Sequence, residues 1–127
     1  MKIVRIDPAQ QAPFEGALFP NGGVARQPLV AAQDQSQLSL TLLNFAAGAR
    51  NAFHTHSHDQ VIVVTAGNGL VATEFEVCEV SVGDVVLFDA GEVHWHAACA
   101  ACAVSFISVT PSGTTTSVTA AATTSAS

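Results

Sequence analysis

The sequence predicts an all-β fold, either a sandwich, a jelly roll or a small barrel, and three observations lead to this prediction. Several short runs are rich in β-branched and aromatic residues, and turn-forming glycines stand between them. No stretch of ten or more residues repeats its apolar positions with a helical period of 3.6. Short strands separated by such turns are typical of sandwiches, jelly rolls and barrels.

The strands are expected in a fixed order along the chain. A first strand is possible near 24–30, after a loop-like segment that is rich in Gln, Ala, Pro and Gly and extends over 7–37. The turn signals are Ala46-Ala47-Gly48, Gly67-Asn68-Gly69, Val82-Gly83-Asp84 and Asp89-Ala90-Gly91. The strongest strand candidates are 38–45, 60–66, 70–77, 84–88 and 102–109.

Length and composition predict one domain over residues 1–127, with the barrel at about 38–109. Hydrophobic residues make up 49% of the chain and charged residues only 11%, which is enough apolar material for a core. In the C-terminal extension, 110–127, fifteen of eighteen residues are Ser, Thr or Ala. Such a composition is typical of disorder, but Thr also favours strands, and we expect the extension to pair with an edge strand of its own or a neighbouring subunit.

Charge excludes several partner classes. The net charge is −6, and the four cations are Lys2, Arg5, Arg26 and Arg50, so no basic cluster exists to bind nucleic acid or an anionic membrane surface. No apolar run approaches the roughly 20 residues of a membrane span, and the start lacks the apolar stretch of a signal peptide. Three cysteines do not make a disulfide framework, which predicts a cytoplasmic location.

Histidines form the most informative pattern. His54 and His56 are two residues apart, as are His94 and His96, so in strands each pair presents both imidazoles on one face. Two such pairs on neighbouring strands that face one barrel interior would converge on a divalent metal. A single pair of this kind arises easily by chance, whereas two pairs that each follow a glycine-containing turn are harder to attribute to chance.

The spacing around these histidines resembles the two sequence motifs of the cupin family. The first matching stretch contains Gly48, His54, His56, Gln60 and Gly67 at the motif spacing, with Gln60 where Glu is usual. The second stretch runs Gly83-DVVLF-Asp89-A-Gly91-EV-His94, with Asp89 where Pro is usual, and the segment between the motifs, 68–82, is short as in small bacterial cupins.

This resemblance implies a double-stranded β-helix, that is, a jelly-roll barrel, with one divalent metal ion held by His54, His56, Gln60 and His94. The three-His plus Gln set is similar to that of small manganese cupins, including the bacterial hydroxynitrile-lyase-like group. Manganese is therefore the expected ion, although imidazole and amide ligands also suit Fe, Ni, Co and Zn. A weakened or empty site is the alternative that Gln60 leaves open.

Because Gln is neutral, the ion would keep its +2 charge, which disfavours a trivalent state and favours Lewis-acid chemistry. We therefore predict a lyase or isomerase that acts on a small hydroxy or carbonyl compound. His96, inside the barrel beside the ligands, is the candidate general acid/base, or a hydrogen-bonding partner of the site. A non-catalytic module that binds a metal or small ligand is the second hypothesis, and a cupin dioxygenase is the third.

The remaining features carry weaker signals. His58 is expected at the surface, with replacement of Gln60 as a ligand as the alternative, and Arg50 in a loop, where it could still anchor an anionic substrate. Trp95 should pack outside the barrel core or at a subunit interface. The Cys99–Cys102 pair is expected to fill apolar space or to be redox-active. The low charge content also predicts a homodimer.

Overall fold

The computed structural model describes residues 1–119, which form ten strands and two short 3-10 helices, Pro8–Gln10 and Ala32–Asp34. The all-β prediction is confirmed. Within the described part of the chain, no helix is long and apolar enough to cross a membrane. The strands are β1 Ala12–Pro13, β2 Val24–Val30, β3 Leu38–Phe45, β4 His54–His56, β5 Gln60–Thr73, β6 Val77–Ser81, β7 Val85–Phe88, β8 His94–Ala98, β9 Val104–Pro111 and β10 Thr116–Val118.

All the pairings between strands are antiparallel, and they build the jelly-roll barrel that the sequence predicts. The pairing order is β1-β2-β3-β9-β5-β8-β4-β10, with β6 and β7 also paired to β5. Alternate residues point into the barrel, as in β9, where Val104 and Phe106 are buried and their neighbours are only half-buried. Two sheets share β5: one also contains β1, β2, β3, β7 and β9, and the other β4, β6, β8 and β10. The main core lies between them and contains Phe45, Ile62 and Phe106, each at most 1% exposed.

The longest strand, β5, corrects the sequence prediction of two strands separated by a turn at Gly67-Asn68-Gly69. It runs without interruption from Gln60 to Thr73 and passes from one sheet to the other. At Gly67 the backbone has φ +74°, and a Cβ there would lie 1.9 Å from the Ala103 carbonyl oxygen. The glycines therefore serve a close crossing of two backbones, and not a reversal of the chain.

The C-terminal extension is attached to its own barrel as far as it is described. Strand β10 pairs with β4, in the register Thr116↔His56 and Val118↔His54. This agrees with the expectation that the extension pairs with an edge strand, here of its own subunit. Residues 120–127 lie outside the described part of the chain.

A second, smaller apolar cluster lies apart from the main core and contains Phe53, Ala72, Trp95 and Ala97. Trp95 has the opposite parity to His94 and His96 on β8, so its ring packs away from the interior, as predicted. Both faces of β8 are consequently covered, and all five of its residues are buried. This strand holds its histidines in a rigid wall of the barrel.

Candidate metal centre

Strand pairing brings the two histidine pairs together inside the barrel. His54 on β4 is directly opposite His94 on β8, and their ring centroids are 4.3 Å apart. His56, two residues further along β4, places its ring centroid 5.2 Å from that of His94. One potential ligand atom from each of His54, His56 and His94 lies within 4.8 Å of the others. Such separations are on the scale of two metal–nitrogen bonds of about 2.1 Å each.

Gln60, the first residue of β5, places a fourth candidate ligand atom beside the three histidines. Its Oε1 lies 3.1 Å from Nε2 of His56 and 3.0 Å from Nε2 of His94. Its amide nitrogen donates a hydrogen bond to Oγ of Ser108 on the adjacent strand β9, at 2.9 Å. The side chain is 4% exposed, so the amide oxygen is directed toward the histidines within a closed environment.

Each imidazole of the group is oriented through its other ring nitrogen. Nδ1 of His54 donates to the Ala52 carbonyl oxygen at 2.6 Å, and Nδ1 of His94 donates to the Glu92 carbonyl oxygen at 2.8 Å. Nδ1 of His56 lies 2.9 Å from Oγ1 of Thr116 on β10. These contacts leave the Nε2 lone pairs free to face one point, which is the usual arrangement of histidine ligands.

The contact between His94 and Gln60 indicates that a cation fits this point. A neutral imidazole carries one N–H, and that of His94 is used toward the Glu92 carbonyl oxygen. Its Nε2 lone pair therefore faces the Gln60 oxygen lone pairs at 3.0 Å. Two acceptors at this distance repel unless a positive charge lies between them. In a metal-free protein, the opposite amide orientation would remove the conflict by donating the Gln60 N–H to the imidazoles.

Burial keeps the histidines in the neutral form that a metal requires. It lowers the pKa of His54 to about 3, with repulsion from His94 as the next cause. It also lowers the pKa of His94 to about 4, and it lowers the pKa of His56. Loss of hydration disfavours the charged imidazolium in each case. The three lone pairs are therefore available at neutral pH.

His96 lies beside the group without joining it. Burial, with repulsion from His54 and His94, keeps its pKa well below the ordinary value. The backbone N–H of His96 donates to Oδ1 of Asn51 at 2.9 Å, and Nδ2 of Asn51 lies 3.3 Å from Nε2 of His96. Phe45 and Phe106 contact its ring edge-to-face. No sequence signal singles out Asn51, because it lies in a loop between β3 and β4.

Other residues singled out in the sequence lie away from the histidines. His58 is exposed and its Nδ1 contacts Oγ of Ser57 at 2.8 Å, so Gln60 and not His58 faces the site. The Arg50 guanidinium lies 5.0 Å from the Trp95 ring centroid, outside the cavity. Cys99 is half-buried and Cys102 is exposed, so Cys102 does not fill apolar space, and neither forms a disulfide.

A cavity of about 280 Å³ opens beside the histidines. Its lining contains His54, His56, Gln60 and His96 together with both polar and apolar side chains. A larger groove of about 930 Å³ lies elsewhere, lined by residues such as Ile6, Gln11 and Asn44, but it has no titratable side chain. We assign the functional site to the smaller cavity, whose other lining residues are Phe14, Leu18, Phe19, Arg26, Ser39, Thr41, Leu43, Asn51, Ser108, Thr110, Thr114 and Thr116.

Comparison with known proteins agrees with this architecture. The model of the cupin domain matches residues 41–110, more than half of the chain, and the chain therefore belongs to the cupin family. It is 39% identical over 111 residues to a protein named (R)-mandelonitrile lyase from Granulicella tundricola, and the match covers 86% of this chain and 83% of that protein.

Solved structures show the same fold at lower sequence identity. A cupin-like protein from Thermotoga maritima superposes with a TM-score of 0.79 at 22% identity, covering 85% of this chain and 84% of that one. A cupin-2 domain from Rhodospirillum rubrum gives 0.79 at 19% identity, covering 97% and 84%. A polyketide cyclase from Streptomyces resistomycificus gives 0.74 at 16% identity, covering 87% and 80%.

Proposed function

We propose that this cupin is a metal-dependent lyase that acts on a small hydroxy or carbonyl compound, with an isomerase as the related alternative. The observation that carries the proposal is the convergence of three imidazoles and the Gln60 amide oxygen on one point beside a cavity of about 280 Å³. Its similarity to a protein named (R)-mandelonitrile lyase supports the choice of lyase chemistry.

His54, His56, Gln60 and His94 would hold one divalent ion, which we propose to be manganese, with iron, nickel, cobalt and zinc as alternatives. When bound, the ion supplies Lewis acidity that polarises a hydroxyl or carbonyl oxygen. All four donors are neutral, so no charge of this chain reduces the charge of the ion. The neutral donor set supports this chemistry over oxygen activation, which depends on stabilising a more highly charged metal.

His96 is proposed to move the proton. It lines the cavity and its imidazole is neutral, so a ring nitrogen has a lone pair that could accept a proton from a substrate hydroxyl. As the hydroxyl loses its proton, the bond between its carbon and the leaving group breaks and the carbonyl forms. The proton held on His96 then passes to the leaving group, so the imidazole returns to its initial state. Asn51 positions His96, because its Oδ1 accepts the His96 backbone N–H and its Nδ2 lies 3.3 Å from Nε2 of the ring.

The test uses (R)-mandelonitrile, which cleavage converts to benzaldehyde and hydrogen cyanide. Protein stripped with a chelator and reloaded with Mn²⁺ should release benzaldehyde, and the His54→Ala/His56→Ala double variant should lose both bound metal and activity. His96→Ala should retain the metal and lose about 100-fold or more in rate, since general acid/base groups typically contribute that much. His58→Ala, which changes an exposed histidine, is the matched control.

Four outcomes would contradict the proposal. Metal retained by the double variant would show that the ligands are assigned wrongly. Full activity of His96→Ala would remove its role in proton transfer. If the metal binds but neither this compound nor other small hydroxynitriles, hydroxy acids and carbonyl compounds react, the chain is a non-catalytic binding module. Oxygen consumption by the iron-loaded protein would instead identify a dioxygenase.

We also propose a homodimer formed through the outer face of one sheet. The register aligns Leu87, Val61, Val109 and Leu40 in one row across four strands. Val85, Val63 and Ile107 form the next row, and Val85 is 64% exposed and Leu87 57% exposed. A continuous apolar face of this kind is more typical of an interface than of a free surface.

Light scattering on a sizing column tests the dimer. The wild-type chain should elute at twice its 13.0 kDa mass, whereas Leu87→Lys should elute as a monomer. Phe75→Lys is the control, because Phe75 is 93% exposed but lies in the turn between β5 and β6, away from this face. A wild-type monomer at micromolar concentration would contradict the proposal.

A cytoplasmic location is proposed on the state of the cysteines. Cys78, Cys99 and Cys102 are all unpaired, and Cys78 and Cys102 are exposed. Exposed free thiols are typical of a reducing compartment. Fractionation of the native cells, with detection of the protein in the soluble or exported fraction, decides the question.

A further inference from the structure

One charged side chain that sequence reasoning did not select lines the cavity: Arg26, on β2. Directly opposite it in the register is Leu43 of β3, whose side chain also lines the cavity, so Arg26 is on the inner face of the sheet. The cavity lining contains no Asp, Glu or Lys. Because burial keeps the lining histidines neutral, Arg26 is the charged side chain that a molecule in this cavity meets.

The guanidinium of Arg26 is positioned by an aromatic ring and not by an acid. Its Cζ lies 3.9 Å from the ring centroid of Phe14, which is a cation–π contact. Phe14 is itself tied to β2, because its backbone N–H donates to the Val24 carbonyl oxygen at 2.9 Å. Within residues 1–119, the ion pair found is that of Lys2 with Asp34, so no carboxylate of the described chain neutralises Arg26.

We propose that Arg26 binds a carboxylate of the substrate, which makes the substrate a small hydroxy or oxo acid; this rests on the proposed function. The substrate would span the cavity, with its carboxylate at Arg26 and its hydroxyl or carbonyl oxygen toward the histidines. A guanidinium offers two parallel N–H donors that match the two oxygens of a carboxylate. The hydroxyls of Ser39, Thr41 and Thr110, which also line the cavity, add neutral hydrogen-bonding groups.

Stacking on Phe14 explains how a single exposed arginine can bind a carboxylate. Arg26 is exposed, and a free arginine side chain would lose much conformational entropy on binding an anion. The ring restrains the guanidinium plane before the substrate arrives, so less entropy remains to be lost. The chain carries a net charge of −6, which repels anions in general, and the positive charge of Arg26 attracts them locally to this cavity.

The experiment compares the binding of (R)-mandelate with that of (R)-mandelamide, its neutral counterpart of nearly the same shape, by calorimetry at neutral pH. Both the metal-free and the Mn²⁺-loaded protein are titrated, because a metal ion can also attract a carboxylate. We expect mandelate to bind at least about tenfold more tightly in both forms, which is the effect of one charge-assisted bidentate contact. Arg26→Gln should reduce the preference to about one, and Arg26→Lys should restore part of it.

Arg50→Gln is the matched control, because it removes one of the four cations of the chain outside the cavity, and it should keep the full preference. The proposal would be overturned if Arg26→Gln still preferred mandelate over mandelamide as strongly as the wild type. It would also be overturned if the preference for mandelate appeared only with metal bound and survived in Arg26→Gln. Thermal unfolding of each variant confirms that it is folded. Binding is measured without turnover, so the Arg26 result is judged separately from the lyase proposal, which fails if neither (R)-mandelonitrile nor the other small hydroxynitriles, hydroxy acids and carbonyl compounds react.

Discussion

Lowering the pH should destabilise the metal-free protein at pH values above those at which its carboxylates are protonated, because its buried histidines resist protonation in the folded chain. The pKa of His54 is lowered to about 3 and that of His94 to about 4 in the folded chain, whereas both return to about 6.5 on unfolding. Below pH 6.5 the unfolded chain therefore binds more protons than the folded chain. Their contribution to stability is complete above pH 6.5 and is lost as the pH falls to about 4 for His94 and to about 3 for His54.

The size of the effect follows from the same pKa values. Between pH 7.5 and pH 5, protonation of each of these two histidines in the unfolded chain lowers the free energy of unfolding by roughly 2 kcal/mol, so the pair lowers it by about 4 kcal/mol. His54 is 1% exposed and His94 is 0% exposed, so screening by solvent does not reduce this figure. A loss of this size is a large part of the 5–15 kcal/mol that stabilises a typical domain.

The assay is urea denaturation of chelator-treated protein at pH 7.5 and at pH 5, followed by the fluorescence of the single tryptophan, Trp95. His54→Gln should reduce the loss of stability between the two pH values by about 2 kcal/mol, because one titrating group is gone while His56, His94 and His96 remain. His58→Gln, at an exposed position, should keep all of it. Equal stability at the two pH values in the metal-free wild-type protein would refute the reasoning.

Two further substitutions test the site and the fold. Gln60→Glu should bind a divalent metal at least about tenfold more tightly, as measured by competition with a chelator, and should have lower lyase activity, because a negative ligand attracts the ion and weakens its Lewis acidity. Gln11→Glu, which adds the same charge elsewhere, is the control. Unchanged metal affinity in Gln60→Glu would remove Gln60 from the ligand set. Gly67→Ala should lower the free energy of unfolding by about 3 kcal/mol or more, because its Cβ would overlap the Ala103 carbonyl oxygen. Gly113→Ala, also at positive φ but with nothing within 4 Å, should cost only about 1–2 kcal/mol, and equal losses at the two sites would contradict the crossing argument.

The parts that could be predicted from the sequence are those encoded by short-range patterns. Strand β3 occupies the predicted 38–45, and β2 the predicted 24–30, because their β-branched and aromatic residues lie between clear breaks. The histidine spacing likewise placed His54 and His94 on facing strands. Parity alone put both His94 and His96 on the inner side of β8.

The parts that could not be predicted depend on contacts between distant segments. Glycines at 67 and 69 look like a turn, and only the approach of the Ala103 and Ala97 carbonyl oxygens explains why a strand needs them. The cavity side chains of Phe14 and Arg26 come from the N-terminal segment, which carries no motif. Asn51, which holds the backbone of His96, is a loop residue of a common type, and its partner is 45 positions away.

The supports of the three imidazoles differ in how easily mutation can remove them. Ala52 and Glu92 hold His54 and His94 through carbonyl oxygens, which every amino acid possesses, so substitutions at 52 and 92 leave those two rings oriented. His56 depends on a hydroxyl, which only Ser, Thr and Tyr could offer at position 116. Evolution can therefore adjust this site through one position, sixty residues away in sequence, while the other two imidazoles stay fixed.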